Sequence, residues 1–165
     1  MPLVKNGALA SDNWVRPAEG ESFPADAAVL LPADRIAEAD GHQGPLGILW
    51  PNDRPVDDLV PLLPRLSLIA LHWPIFRDGR AYTQARLLRQ RHGYTGEIRA
   101  TGNILQDQLL FLARCGIDSF DLVKQADAEA AAKVLGRYDV FYQAVDQQRP
   151  TVFEQRKRLK QADGR

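Results

Sequence analysis

The chain has 165 residues, 45% of them hydrophobic and 25% charged, a balance that suits one globular domain and excludes collagen-like, mucin-like and wholly disordered chains. Its single cysteine, Cys115, excludes within one chain an internal disulfide, a four-thiolate iron–sulfur cluster, a CxxC redox pair and a multi-Cys zinc site. Lys and Arg number 21 against 21 Asp and Glu, yet residues 1–60 hold 4 basic and 10 acidic side chains and residues 61–165 hold 17 and 11. The second half is therefore electropositive, which suits a small anion or an acidic partner.

The start Met1-Pro2-Leu3-Val4-Lys5 has no signal-peptide core, and no run of roughly 18 apolar residues occurs. A cytoplasmic protein with no membrane contact is expected. Basic residues are interrupted by acids and no nucleic-acid motif accompanies them, which argues against a nucleic-acid partner.

The expected organisation is a single α/β domain over residues 1–146, followed by a basic, mobile tail over 147–165. Residues 1–45 read as a short β-rich segment. Asn6-Gly7 between Leu3-Val4-Lys5 and Ala8-Leu9-Ala10 is the strongest local signal for a hairpin. Trp14 and Ala27–Leu31 suggest further short strands, punctuated by Pro17, Gly20, Pro24 and Pro32.

Residues 46–146 alternate short apolar runs with stretches of helical period, the pattern of βα repeats forming a mainly parallel sheet, either open or half-barrel-like. Strands are expected at Leu46–Trp50, Ser67–His72, Glu97–Ala100 and Ser119–Leu122. Helices are expected at Val56–Leu66, Arg80–His92, Ile104–Cys115 and Asp127–Gln143, the first one short or irregular because of Pro61 and Pro64. In the second, Ala81, Ala85, Leu88 and His92 share a stripe, with Arg86 and Arg89 turned away as a basic outer edge. Asn103 through Gln106 has the spacing of a capping box, and Gly116 stands at a natural helix stop.

Ligands of parallel sheets bind beyond the carboxyl ends of the strands, where helix N-termini point. The loops there carry Arg54, Arg77, Asp78, Arg80, Asn103, Asp107 and Gln108, with Arg99 close to the third strand's end. Convergence of Arg54, Arg77, Arg80 and Arg99 on one rim would make a site for an oxyanion or a carboxylate, with the aspartates orienting the guanidinium groups. The alternative is that each arginine pairs locally. His72, at the end of an apolar strand, is the candidate general acid or base, against a reading as a hydrogen-bonded core histidine. His42 and His92 have no partner at a metal-ligand spacing, so no metal is expected, and no dinucleotide, P-loop or nucleophile-elbow motif occurs. No resident cofactor is identified.

The stretch Phe76-Arg77-Asp78-Gly79-Arg80 through Gly93-Tyr94-Thr95-Gly96-Glu97-Ile98-Arg99 to Gln106-Asp107-Gln108, continuing in Arg114-Cys115-Gly116-Ile117-Asp118-Ser119-Phe120, resembles the hallmark of a bacterial domain family of unknown function. Members are labelled oxidoreductases of sulfite reduction, because they are typically encoded beside sulfite reductase and phosphoadenylylsulfate reductase. The resemblance implies an accessory protein of assimilatory sulfate or sulfite reduction, with a sulfur oxyanion, a reductase subunit or an electron donor at the Arg-rich rim. A chain without the thiolates for a cluster is not itself the haemoprotein that reduces sulfite. Two rivals remain: a small oxidoreductase or lyase using a diffusible nicotinamide or flavin, with His72 as acid or base, and a structural scaffold whose acidic and basic halves pair between subunits.

Overall fold

The structure is a computed structural model that describes residues 2–138, 141–142 and 151–162. The chain opens with the expected hairpin, β1 (Leu3–Lys5) and β2 (Ala8–Ala10). Asn6 and Gly7 take φ values of 53° and 77°, the two positive values that a type I′ turn needs to follow the strand twist. Five parallel strands then follow in chain order: β3 (Val29–Pro32), β4 (Leu46–Trp50), β5 (Leu66–Trp73), β6 (Glu97–Gly102) and β7 (Ser119–Asp121). The hairpin adds to the far side through β1, antiparallel to β7, giving a seven-stranded open sheet in the order β2-β1-β7-β6-β5-β4-β3.

From β3 to β7 each strand lies beside its successor. Right-handed crossovers between such neighbours put every connection on one face of the sheet. The burial pattern agrees, because Ile48, Ile69, Leu71, Ile98, Ala100 and Phe120 share one core with Ala81, Ala85, Leu88, Leu109 and Leu112 of the helices. This is the winding of a half-barrel in an open sheet, without the reversal of strand order found in doubly wound folds.

Helix α1 (Arg80–Gln90) buries Ala81, Gln84, Ala85 and Leu88, the i, i+3, i+4, i+7 stripe of an amphipathic helix. It stops before His92, expected on the same stripe, because Gly93 turns left-handed at φ 63°. Helix α2 (Leu109–Arg114) ends in a Schellman motif: Gly116, at φ 97°, donates to Ala113 O, and Ile117 donates to Leu112 O. Helix α3 spans Gln125–Leu135.

Several expected helices are shorter or differ in kind. Val56–Leu66 is two 3-10 turns, Val56–Leu59 and Leu63–Arg65, since Pro61 and Pro64 lack the N–H groups an α-helix needs. The cap expected at Asn103 moves to Leu105, whose N–H donates to Gln108 Oε1 at 3.0 Å, opening a 3-10 turn at Gln106–Gln108. Position 143, the expected end of the last repeat helix, lies outside the described residues, as does the expected start of the tail at 147–150. The tail residues Val152–Ala162 form helix α4, with no buried side chain. Trp14 lies in no strand, and its neighbour Val15 makes only an isolated bridge to Val29.

Candidate functional site

Strand parity decides what each face of the sheet carries. His72 is the register partner of Thr101, and Ala70 is that of Arg99, so all four point away from the helices. On this second face Leu30, Leu68 and Ala70 make a small apolar cluster covered by Trp14 and Leu49. The segment Asp12–Pro17 crosses the face: Trp14 packs on the cluster, while Asp12 and Arg16 reach the polar residues of β6 and β7.

Those polar residues form one ionic network. The Arg99 guanidinium, 1% exposed, donates to Asp12 Oδ1 at 3.0 Å and to Glu97 Oε1 at 2.9 Å, and Ser119 Oγ donates to the same Glu97 oxygen at 2.6 Å. Lys5 Nζ lies 2.5 Å from Glu97 Oε2, and Arg16 Nη2 reaches Asp12 Oδ2 at 2.9 Å and Asp121 Oδ2 at 2.7 Å. Three cations thus face three carboxylates. Burial alone would raise the pKa of Asp12 and Glu97; hydrogen bonds and charge from Arg99, with Lys5 and Ser119 at Glu97, outweigh it and hold both below the usual carboxylate range.

Beside this network, at the carboxyl ends of β3 to β6, lies a cleft of about 330 Å³. Leu30, Pro32, Leu49 and Pro17 supply apolar walls, and Arg16, His72 and Thr101 supply the polar groups. Gly102 completes it. Its φ of 96° belongs to the left-handed region, and a Cβ there would stand 2.4 Å from Trp73 O and 2.9 Å from the His72 ring, so only glycine lets the β5 backbone and the ring approach this closely. His72 is half-buried and lines the cleft, not the hydrophobic core. Among the described residues its ring makes no hydrogen bond, and the Arg16 Nε and Nη1 groups make none either.

The expected convergence of arginines on the loop rim is not what the structure contains. Arg99 lies on the opposite face of the sheet from the helices, buried in the network, because its side chain shares the parity of His72. Arg54 pairs with Asp34 and stands 6.0 Å from the centroid of the Trp50 ring. Arg80 makes a two-pronged pair with Asp78, Nε to Oδ1 at 3.0 Å and Nη2 to Oδ2 at 2.7 Å. The Asp78 carboxyl is held far below its ordinary range by the Arg80 side chain and by the Arg80 backbone N–H, the hydrogen bonding of a turn that opens α1. Arg54, Arg77 and Arg80 are all exposed, and of the four only Arg77 makes no ion pair among the described residues.

The remaining rim residues hold loops together or face solvent. Asn103 is exposed, and its backbone N–H donates to Trp73 O at 2.8 Å. Asp107 is exposed, and Gln108 Nε2 donates to Phe76 O at 2.7 Å, tying the turn before α2 to the loop after β5. No group of three His, Cys, Asp or Glu side chains among the described residues could hold a metal ion.

Arg89, expected on the outer edge of α1, turns inward instead. It donates to the carbonyls of Tyr94 (2.6 Å), Gly96 (2.8 Å) and Gly116 (2.9 Å), and lies 2.5 Å from Asp118 Oδ2. The Gly-Tyr-x-Gly segment and the Arg-Cys-Gly-Ile-Asp segment are thereby fastened to one guanidinium.

Sequence reasoning missed Arg16 and Thr101 as cleft residues. Thr101 was within reach, since it lies at even spacing from Arg99 on one strand. Arg16 was not, because nothing local to residues 12–17 says which strands that segment crosses.

A family model described as a bacterial protein of unknown function (DUF934) matches residues 47–153. The match takes in His72, Arg99 and Thr101 and leaves out the segment carrying Arg16. A search of curated proteins finds no match. No helix of the described residues is long and apolar enough to cross a membrane.

Proposed function

We propose, from the premise that the chain belongs to the bacterial DUF934 family, whose model matches residues 47–153, that it is an accessory protein of sulfite reduction that binds a small anion in the cleft between Arg16 and His72. The observation that carries this reading is the pairing, in one cleft at the strand carboxyl ends, of a guanidinium with uncommitted N–H groups and a histidine outside the core. Guanidinium N–H groups match the oxygens of sulfur oxyanions and carboxylates. The link to sulfite reduction is supported by the resemblance of the Asp78-Gly79-Arg80 to Gln108 stretch to proteins encoded beside sulfite reductase.

Titration calorimetry of the whole chain with sulfite and methanesulfonate tests the site. Binding that weakens about tenfold or more in both Arg16→Gln and His72→Gln is the expected result, and equal affinity in both variants defeats the assignment. Growth of a deletion strain on sulfate against sulfide tests the pathway separately: a defect on sulfate alone is expected, and equal growth removes the sulfur reading.

A second reading, a small oxidoreductase or lyase with a diffusible nicotinamide or flavin, is favoured by the same placement of His72, where an imidazole could exchange a proton with a bound molecule. Flavin or nicotinamide absorbance retained on the purified protein, and lost in His72→Gln, would support it; a colourless protein that binds neither would remove it.

A further inference from the structure

We infer that the anion taken by this cleft is organic, a small acid with an apolar body, and not a bare inorganic oxyanion. The inference rests on the anion-site reading above and narrows it to a ligand class.

Size is the first argument. The cleft measures about 330 Å³, at the small end of the range of about 300–1,000 Å³ for small-molecule pockets, whereas one water in the liquid takes up about 30 Å³. A sulfite or sulfate ion has only four or five heavy atoms and would leave most of the space to solvent. The second argument is the lining. Leu30, Leu49, Pro17 and Pro32 are apolar, and the polar groups are confined to Arg16, His72, Thr101 and the Gly102 backbone. Leu30 and Pro17 are already buried; filling the cleft with ions and water would keep Leu49 and Pro32 wet, while a hydrocarbon body would dry them, each CH₂ buried tightening binding roughly fourfold.

Third, the charge arrangement fits a single negative head. Arg16 Nη2 is already shared between Asp12 and Asp121, and the network as a whole pairs three cations with three carboxylates. What remains for a ligand is one arm of Arg16 at a time, Nη1 or the Nε–H that points to the other edge, with His72 and the Thr101 hydroxyl. That set can hold one carboxylate or sulfonate group through two or three hydrogen bonds. Because the network is already balanced, a ligand there is held by hydrogen bonds more than by net charge, which disfavours a divalent ion most. Gly102, lacking a side chain, lets the Trp73 carbonyl and the His72 ring pack directly against its backbone.

The test is a homologous series titrated into the whole chain by calorimetry: sulfite, methanesulfonate, butanesulfonate and hexanesulfonate, with butanoate and butanol as head-group controls. Affinity is expected to climb about fourfold per CH₂ until the cleft is full, with butanoate following butanesulfonate and butanol binding far more weakly. Arg16→Gln should weaken every anion by a similar factor and leave the chain-length dependence intact; Leu49→Gln should flatten it. If sulfite binds as tightly as butanesulfonate, or affinity ignores chain length, the organic-acid inference falls while the anion reading stands. If no anion binds, or butanol binds as well as butanoate, the anion reading itself falls.

Discussion

Arg99 Nη1 lies 3.0 Å from Asp12 Oδ1, so a residue at the middle of the sheet is fastened to one 87 positions earlier in the chain. The pair holds the segment that carries Trp14 and Arg16 against the second face, and so it positions one side of the cleft. Replacing Arg99 with Met would leave Asp12, Glu97 and Asp121 together without their central cation. Breaking such a buried network from one side costs about 3–5 kcal/mol, read from the urea-unfolding midpoint. A loss below about 1 kcal/mol would mean that water already satisfies those carboxylates.

The same carboxylates give the fold an acid limit. Asp12 and Glu97 are held below their ordinary pKa values in the folded protein, so the unfolded chain binds more protons than the folded one as they titrate. Their contribution to stability is therefore fully present above the unfolded values of about 4 and is lost as pH falls below them through the folded values. Urea midpoints should be level from pH 7 to 5 and drop by pH 3, with a shallower drop in Arg99→Met. Equal acid sensitivity in both proteins would show that other carboxylates set the limit.

Arg89 makes a separate prediction, because its partners are backbone carbonyls that nothing else in reach would replace. Arg89→Ala strands the carbonyls of Tyr94, Gly96 and Gly116 and leaves the Asp118 carboxylate with the Ile98 N–H alone. A loss of about 3 kcal/mol or more is expected at 1.5–3 kcal/mol for a charge-assisted hydrogen bond, and a lysine, with a point charge in place of a fork, should recover little of it. Thermal unfolding of both variants measures this; a lysine variant as stable as the parent would show that charge alone suffices.

Arg80, by contrast, is exposed and spent on Asp78. Arg80→Ala should leave anion affinity in the cleft unchanged and the unfolding temperature little altered, whereas Arg16→Gln should weaken binding. The reverse outcome would move the site back to the loop rim.

Gly102→Ala should cost at least about 1–3 kcal/mol, the usual range for an L-residue forced into a disfavoured backbone region, because its Cβ would also stand 2.4 Å from Trp73 O, and should displace the His72 ring it would touch at 2.9 Å. A changed His72 ring signal in NMR together with weakened anion binding is the expected pair of results. Parent-like binding would show that His72 has no part in the cleft.

Features that depend on near neighbours along the chain are legible in the amino-acid sequence by itself. Asn6-Gly7 specifies its turn through its own backbone preferences, Gly116 its helix stop, and the alternation of apolar runs with helical stripes the order of the βα repeats, because each is a matter of periodicity or of one residue's accessible φ. The direction of winding is not legible there, since an open sheet and a half-barrel share that periodicity.

Charge placement is of another kind. Whether a guanidinium is free for a ligand depends on which carboxylate folding brings beside it. Asp12 beside Arg99, Asp34 beside Arg54 and Asp121 beside Arg16 come from distant segments. A one-residue step in parity carries a side chain to the other face of a strand, which is how Arg99 left the rim for the interior and His72 came to the cleft. Local spacing thus sufficed for the order of the repeats and for most strands, while the kind of each helical turn and the ownership of each charge had to wait for the assembled sheet.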